Sequence, residues 1–149
     1  MKKGIEEFSN SLNYENNYYF YHETSNSADA ICERGLLLSG HNILGVNNLL
    51  YTTASPLDEK IATDPEELTQ FISSELRLSK VRPVDEMVII GIPKDDFDYI
   101  IEPNDGTSSY DADVAHFRVD PAYVIGYFDL ESQDFIINPK SYYTSGFHI

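Results

Sequence analysis

The chain has 149 residues, 42% of them hydrophobic and 13% aromatic, which is one domain of sequence with enough apolar material for a core and excludes global disorder. Its net charge of -15, from 10 basic and 25 acidic residues, disfavours nucleic acid as a direct partner, because that affinity comes largely from Lys and Arg displacing counterions. No apolar run approaches a membrane span, and the single cysteine, Cys32, excludes an internal disulfide and a cysteine-rich zinc site.

Much of the acid is local. Residues 85–134 hold thirteen acidic residues against only Lys94 and Arg118. Such a density keeps a small protein soluble, and it equally suits a basic protein partner. The N-terminal stretch MKKGIEEFSNSLNYENN is polar where a signal peptide needs an apolar segment. The expectation is a cytoplasmic protein, or one exported without a cleavable signal peptide, with no membrane contact.

Residues 1–17 carry a weak apolar pattern (Ile5, Phe8, Leu12) and read as an N-terminal arm or short helix. YYFYH at 18–22 is rich in strand-favouring aromatics. SNSADAICERG then reads as a helix. Ser25 or Ser27 can cap it, Ala28, Ile31 and Cys32 make one face apolar, and Gly35 suits its end. On that face Cys32 reads as a small buried residue before it reads as a nucleophile. LLL at 36–38 is a short buried strand or turn, HNILGVNNLL a loop, and LLYTTA at 49–54 a second strand. DPEELTQFISSELRLSK at 64–80 is the clearest helix. Asp64 caps it, Pro65 fits the first helical position, Glu66 and Glu67 favour the positive end of the dipole, and Leu68, Phe71, Ile72 and Leu76 recur at helical spacing. EMVIIGIP at 86–93 is a buried strand, too short and too β-branched for a helix. FDYIIEP and AHFRV are further strands on either side of the loop NDGTSSYDAD. AYVIGYFD and DFIIN, joined by the turn LESQ, form a hairpin expected at the edge of the sheet. Two main helices early and many short strands later predict an α+β fold with a mixed or antiparallel sheet, residues 18–149 forming a single domain.

No G-x-G-x-x-G, H-E-x-x-H or G-x-S-x-G occurs. The four histidines (His22, His41, His116, His148) are too dispersed for a metal signature, so no metal is expected. Three stretches sit where strand ends open into helices or turns, the usual place for a pocket. They are YHET at 21–24, LYTTASP at 50–56, and HFRVDPAYVIGYFDLES at 116–132. His and Thr can bond ribose hydroxyls, Tyr can stack on a flat ring, and a carboxylate can stabilise a developing cation. Each residue also has a structural use. His22 can bond backbone at a strand end, Thr24 can cap the helix, Tyr51 can belong to the core, and Arg118 can pair with Asp113 or Asp120.

The order strand-His-x-Thr, helix ending in Gly-Leu, strand with Tyr-x-Thr, then a late pair of strands resembles the ADP-ribosyltransferase superfamily. It is most similar to the poly-ADP-ribose-polymerase-like branch and the related RNA 2'-phosphotransferases. The resemblance covers roughly residues 18–138 and implies an ADP-ribosyltransferase-like fold, with short strands in a split sheet, and NAD as substrate. It implies that His22 and Thr24 hold the adenine-side ribose and that Tyr51 stacks on nicotinamide, with Thr52 or Thr53 beside it. It also implies a late glutamate that polarises the bond to be broken. The aligned position in DPAYVIGY is Ala122, which cannot do this. Asp120 and Glu131 are the nearby candidate catalytic carboxylates, and Arg118 could clamp a diphosphate. The resemblance thus implies an NAD-dependent enzyme passing ADP-ribose to a macromolecular acceptor. The acidic composition favours a protein acceptor, as for a bacterial toxin, effector or defence protein. The alternative is a non-catalytic acidic binding module, an immunity protein, antitoxin or inhibitor, that neutralises a basic partner.

Overall fold

The computed structural model describes residues 2–37, 53–78, 81, 83–97 and 118–142. Their elements in chain order are β1 (Lys2–Lys3), α1 (Ile5–Ser11), β2 (Asn17–Thr24), α2 (Ala28–Arg34), β3 (Leu36–Leu37), β4 (Ser55–Pro56), α3 (Glu59–Ala62), α4 (Pro65–Leu78), β5 (Glu86–Pro93), β6 (Arg118–Val119), β7 (Val124–Asp129) and β8 (Phe135–Ile137). Short 3-10 turns occupy Lys94–Asp96 and Pro121–Tyr123. The arrangement is α+β. Six strands form one sheet in the order β1-β8-β7-β5-β2-β4, with β3 and β6 paired separately. Every strand pairing among the described residues is antiparallel.

The unbroken apolar run of β5 follows from its central place. Met87 and Ile89 face one side and Val88, Ile90 and Ile92 the other, and all five are fully buried. On the first side Phe8 of α1, Ala62 of α3, and Leu68 and Ile72 of α4 share a cluster with Phe128 and Phe135. The Phe8 ring meets Phe128 edge-on at 4.8 Å. On the second side Ala28 and Cys32 of α2 pack with Val88, Ile90, Val119 and Val124. Among the described residues one helix covers one face and three cover the other.

The sequence features of α4 act as expected. Asp64 Oδ1 accepts from the Glu66 and Glu67 backbone N–H groups at 3.0 and 3.4 Å, and Pro65 opens the helix. Two local expectations change. The β7–β8 hairpin is not the sheet edge, because the chain's first residues cover it: Lys2 pairs with Ile136 and Lys3 with Phe135. Ser27 holds the capping position of α2 but its hydroxyl turns to the Ser25 carbonyl. The Ala28 N–H goes instead to Glu86 Oε1 on β5, at 3.1 Å. Thr53 and Ala54, the described end of the strand expected at 49–54, are not in a strand, nor is Phe97, the first residue of the strand expected at 97–103; the rest of those strands and the loops at 41–50 and 104–113 lie outside the described residues. No helix among the described residues is long and apolar enough to cross a membrane.

Candidate functional site

Strand alternation decides which side chains of β2 can meet a ligand. Tyr19 and Tyr21 belong to the α4 face, while Phe20 packs on the α2 face. His22 and Thr24 follow Phe20 by two and four residues and therefore share its face. The antiparallel register places His22 level with Val88 and Tyr127, and Thr24 level with Glu86 and Asp129. Thr24 is thus the last residue of a paired strand and not a helix cap.

Helix α2 crosses this face and divides it. On the β7 side the Tyr127 hydroxyl donates to Asp29 Oδ1 at 3.0 Å. On the β2 side α2 presents Ser27, Ala30, Ile31 and Arg34, whose spacing keeps them on one flank. Between that flank and His22 and Thr24 lies an open groove of about 320 Å³, which runs on to Gly35, Leu36 and Leu37. The chain can make the turn from α2 into β3 because Gly35 adopts φ +91. An added Cβ there would run into the Val119 carbonyl oxygen of β6.

His22 is held in one orientation. Its Nδ1 lies 2.8 Å from the Thr53 carbonyl oxygen. A carbonyl only accepts, so Nδ1 carries the proton and donates. In the neutral ring Nε2 is then the acceptor. The expected backbone tie and the expected groove wall are the same residue. An imidazole fixed at one nitrogen, beside a hydroxyl two residues on, can bond a pair of neighbouring hydroxyls such as those of a ribose.

Four carboxylates gather where α2 begins. Glu86 caps Ala28, Asp85 Oδ1 accepts from the Asn26 N–H at 3.3 Å, Asp129 lies level with Glu86, and Asp29 bonds Tyr127. Burial pushes the Glu86 carboxyl above the usual carboxylate range, and the charges of Asp85, Asp29 and Asp129 push it the same way against the Ala28 hydrogen bond. Burial, aided by Asp29 and Glu86, pushes the Cys32 thiol up to about 12, so this buried cysteine is a packing residue. Among the described residues no group of three or more His, Cys, Asp or Glu could hold a metal ion.

The other expected site residues are dispersed. Asp120 Oδ1 accepts from the Ala122 N–H at 2.9 Å and caps the 3-10 turn after β6. Glu131 is exposed in the β7–β8 turn, where its N–H donates to Asp129 Oδ1 at 2.9 Å. Asp129 is level with Thr24 two strands away, about 10 Å across the sheet, and Glu131 follows it by two residues in the turn, at the starting end of α2. Asp120 follows β6, which pairs with β3 just past the other end of α2. The two carboxylates are therefore at opposite ends of that helix, and neither lines the groove. Arg118 pairs through its backbone with Leu37, one of the groove residues. Thr53 contributes its carbonyl, as above. Tyr51 and Thr52 lie outside the described residues.

Sequence reasoning missed Ser27 and Arg34 as groove residues, although their seven-residue spacing on one helical flank was readable. It also missed Glu86 and Asn138, which act on α2 from 58 and 106 residues away. No family model, curated protein or solved structure matches the chain.

Proposed function

We propose that the chain is an ADP-ribosyltransferase-like protein that binds NAD in the groove between β2 and α2, with the adenine-side ribose on His22 and Thr24. One observation carries the reading: the His-x-Thr pair forms one wall of a groove, with His22 Nδ1 committed to Thr53 and Nε2 left to accept from a sugar hydroxyl. The same motif carries the sequence resemblance. In this reading Tyr51 stacks on nicotinamide. ADP-ribose passes to a protein acceptor when the nicotinamide–ribose bond breaks through an oxocarbenium-like state that a carboxylate stabilises. Glu131 is the better candidate for that carboxylate, since it stands at the Thr24 end of the sheet.

A second reading has its own observation. Among the described residues the groove lining contains no carboxylate, and Ala122 stands where the resemblance expects the acid. A chain so built binds NAD, or a basic protein at its acidic surface, without turnover.

Calorimetric titration with NAD tests the first part. Binding that His22→Ala weakens about tenfold supports the groove, that being roughly the loss of one hydrogen bond to ligand. No binding at millimolar NAD sinks it. Nicotinamide release, measured by chromatography, then separates the two readings. Release that Glu131→Gln abolishes supports transfer, and binding without release supports the non-catalytic module.

A further inference from the structure

Helix α2 has no side-chain cap of its own, since the Ser27 hydroxyl turns to the Ser25 carbonyl. Its start is held from outside at two points. The Ala28 N–H donates to Glu86 Oε1 of β5 at 3.1 Å, and the Tyr127 hydroxyl of β7 donates to Asp29 Oδ1 at 3.0 Å. Both anchors are carboxylates, and more carboxylates surround them. Around Glu86 stand Asp29 and the Cys32 thiol from α2, Asp85 from just before β5, and Asp129 and the Tyr127 hydroxyl from β7. β2 places Thr24 level with it, and threonine does not titrate. Among the described residues none of the four carboxylates makes an ion pair. Burial holds both the thiol and the phenol up at about 12, so between pH 7 and pH 5 only the carboxylates of this group titrate.

Anchoring and repulsion therefore oppose each other at one seam. A charged Glu86 accepts from the Ala28 N–H but faces three like charges carried by three segments. A neutral Glu86 still accepts at its carbonyl oxygen, and its share of the repulsion is gone. We propose that the seam between the start of α2 and β5 is a pH-responsive seat, loosened by like-charge repulsion at neutral pH and tightened when Glu86 takes a proton in mild acid. The direction follows from the raised Glu86 carboxyl: the seated helix disfavours the charged form, so the seat tightens as pH falls through that raised value. The far end of α2 lacks this opposition, because the Asn138 amide and the Lys140 ammonium hold the Cys32 and Glu33 carbonyls there. Another flank of α2 walls the groove, so that wall is steadier in acid at its Ser27 end. The inference depends on no ligand.

Hydrogen exchange of the full chain tests it, read amide by amide by NMR between pH 7 and pH 5 with intrinsic rates divided out. Ala28 and Ile31, whose N–H groups go to Glu86 and to the Ser27 carbonyl, report the start of the helix, and Gly35, bonded to the Ile31 carbonyl, reports its end. Glu86→Gln keeps an oxygen acceptor without the charge. At pH 7 it should protect Ala28 and Ile31 about threefold more than wild type, the scale on which one exposed charge pair acts. The wild type should climb toward that level as pH falls. Asp29→Asn keeps the acceptor for Tyr127 and should give a smaller gain in the same direction. Added salt at pH 7 should act like acid, by screening. Wild-type protection at Ala28 and Ile31 that stays flat or falls toward pH 5 overturns the proposal. So does a rise that both variants retain undiminished, and so does a change of equal size at Gly35, which would report the whole helix and not its seat.

Discussion

Exchanging Asn138 for aspartate replaces one NH2 group by an oxygen and inverts what the side chain can do. Asn138 is buried, 2% exposed, just past β8. Its Nδ2 faces three carbonyl oxygens, those of Val124 at 2.9 Å, Cys32 at 3.1 Å and Pro121 at 3.2 Å. Its Oδ1 accepts from the Lys140 N–H at 3.1 Å. The side chain joins the last turn of α2, where carbonyls lack helical partners, to the start of β7 and the 3-10 turn before it. Asn138→Ala leaves the Cys32 and Val124 carbonyls without donors. At about 1–3 kcal/mol for each buried group so stranded, the loss is roughly 2–4 kcal/mol.

Asn138→Asp should cost more than Asn138→Ala at pH 7. It brings a buried negative charge against three carbonyl oxygens that only accept. A protonated aspartic acid, however, can donate to one of them. Its folded pKa is therefore raised above the unfolded value of about 3.9. Protonation favours the folded form, so the extra cost of the aspartate over the alanine shrinks as pH falls through that raised pKa. Urea unfolding followed by far-UV circular dichroism at pH 7 and pH 5 measures both differences, with unchanged m values guarding the comparison. An aspartate variant as stable as the alanine variant at pH 7, or a gap indifferent to pH, would refute the role given to Nδ2.

Three further outcomes follow from the same geometry. Glu86→Gln keeps the Oε1 acceptor for the Ala28 N–H but removes a carboxylate whose pKa is raised by burial and by Asp85, Asp29 and Asp129. A raised folded pKa means that the charge opposes folding at pH 7 and is neutral in both states well below the unfolded value of about 4.3. The variant should therefore melt higher than wild type at pH 7, with the gap closing by about pH 3, and a lower melting point at pH 7 would contradict this. Gly35→Ala should lose more than about 2 kcal/mol in urea unfolding, since alanine resists the positive φ and its Cβ meets the Val119 backbone. A smaller loss would mean that β3 and β6 separate easily. Cys32 should react with a thiol reagent at pH 8 on the order of a thousandfold more slowly than free cysteine until urea is added, given a thiol pushed up to about 12. Labelling of the folded chain at a free-cysteine rate would mean that α2 lifts readily from the sheet.

What could be read from the chain beforehand was what depends on neighbours in sequence. Asp64 and Pro65 start a helix by contacts within one turn, and the alternation in β5 reports burial on both faces whatever covers them. The face shared by His22 and Thr24 follows from a period of two once YYFYH is a strand. The cap of α2 was misassigned to serine because a side chain from another strand supplies it. Glu86 reads locally as the first residue of an apolar strand, and nothing near it in sequence points to Ala28. The hairpin was expected at an edge because two lysines at positions 2 and 3 carry no strand signal, yet they pair with β8. The catalytic carboxylate was sought along one late stretch of sequence. The sheet separates Asp120 from Glu131 by carrying them to opposite ends of α2, which a linear motif does not express.

Helix α2 is where these threads join. Seven residues are too few to hold a helix in water, so its shape and position come from what touches it. Glu86 fixes its first N–H, Tyr127 its first turn, Lys140 the Glu33 side chain and carbonyl, and Asn138 the Cys32 carbonyl. All four partners come from β5, β7 or the segment after β8. The opposite wall, His22, is tied to Thr53. The groove is therefore bounded by two elements that the late half of the chain and one early carbonyl hold apart, and its width is a property of the assembled sheet. A substitution at Asn138 or Glu86 acts on ligand affinity through the position of α2 and changes stability with it. A substitution at His22 acts on the ligand and on one backbone tie. Stability and affinity measured together on the same variants distinguish a residue that touches the proposed ligand from one that holds the wall.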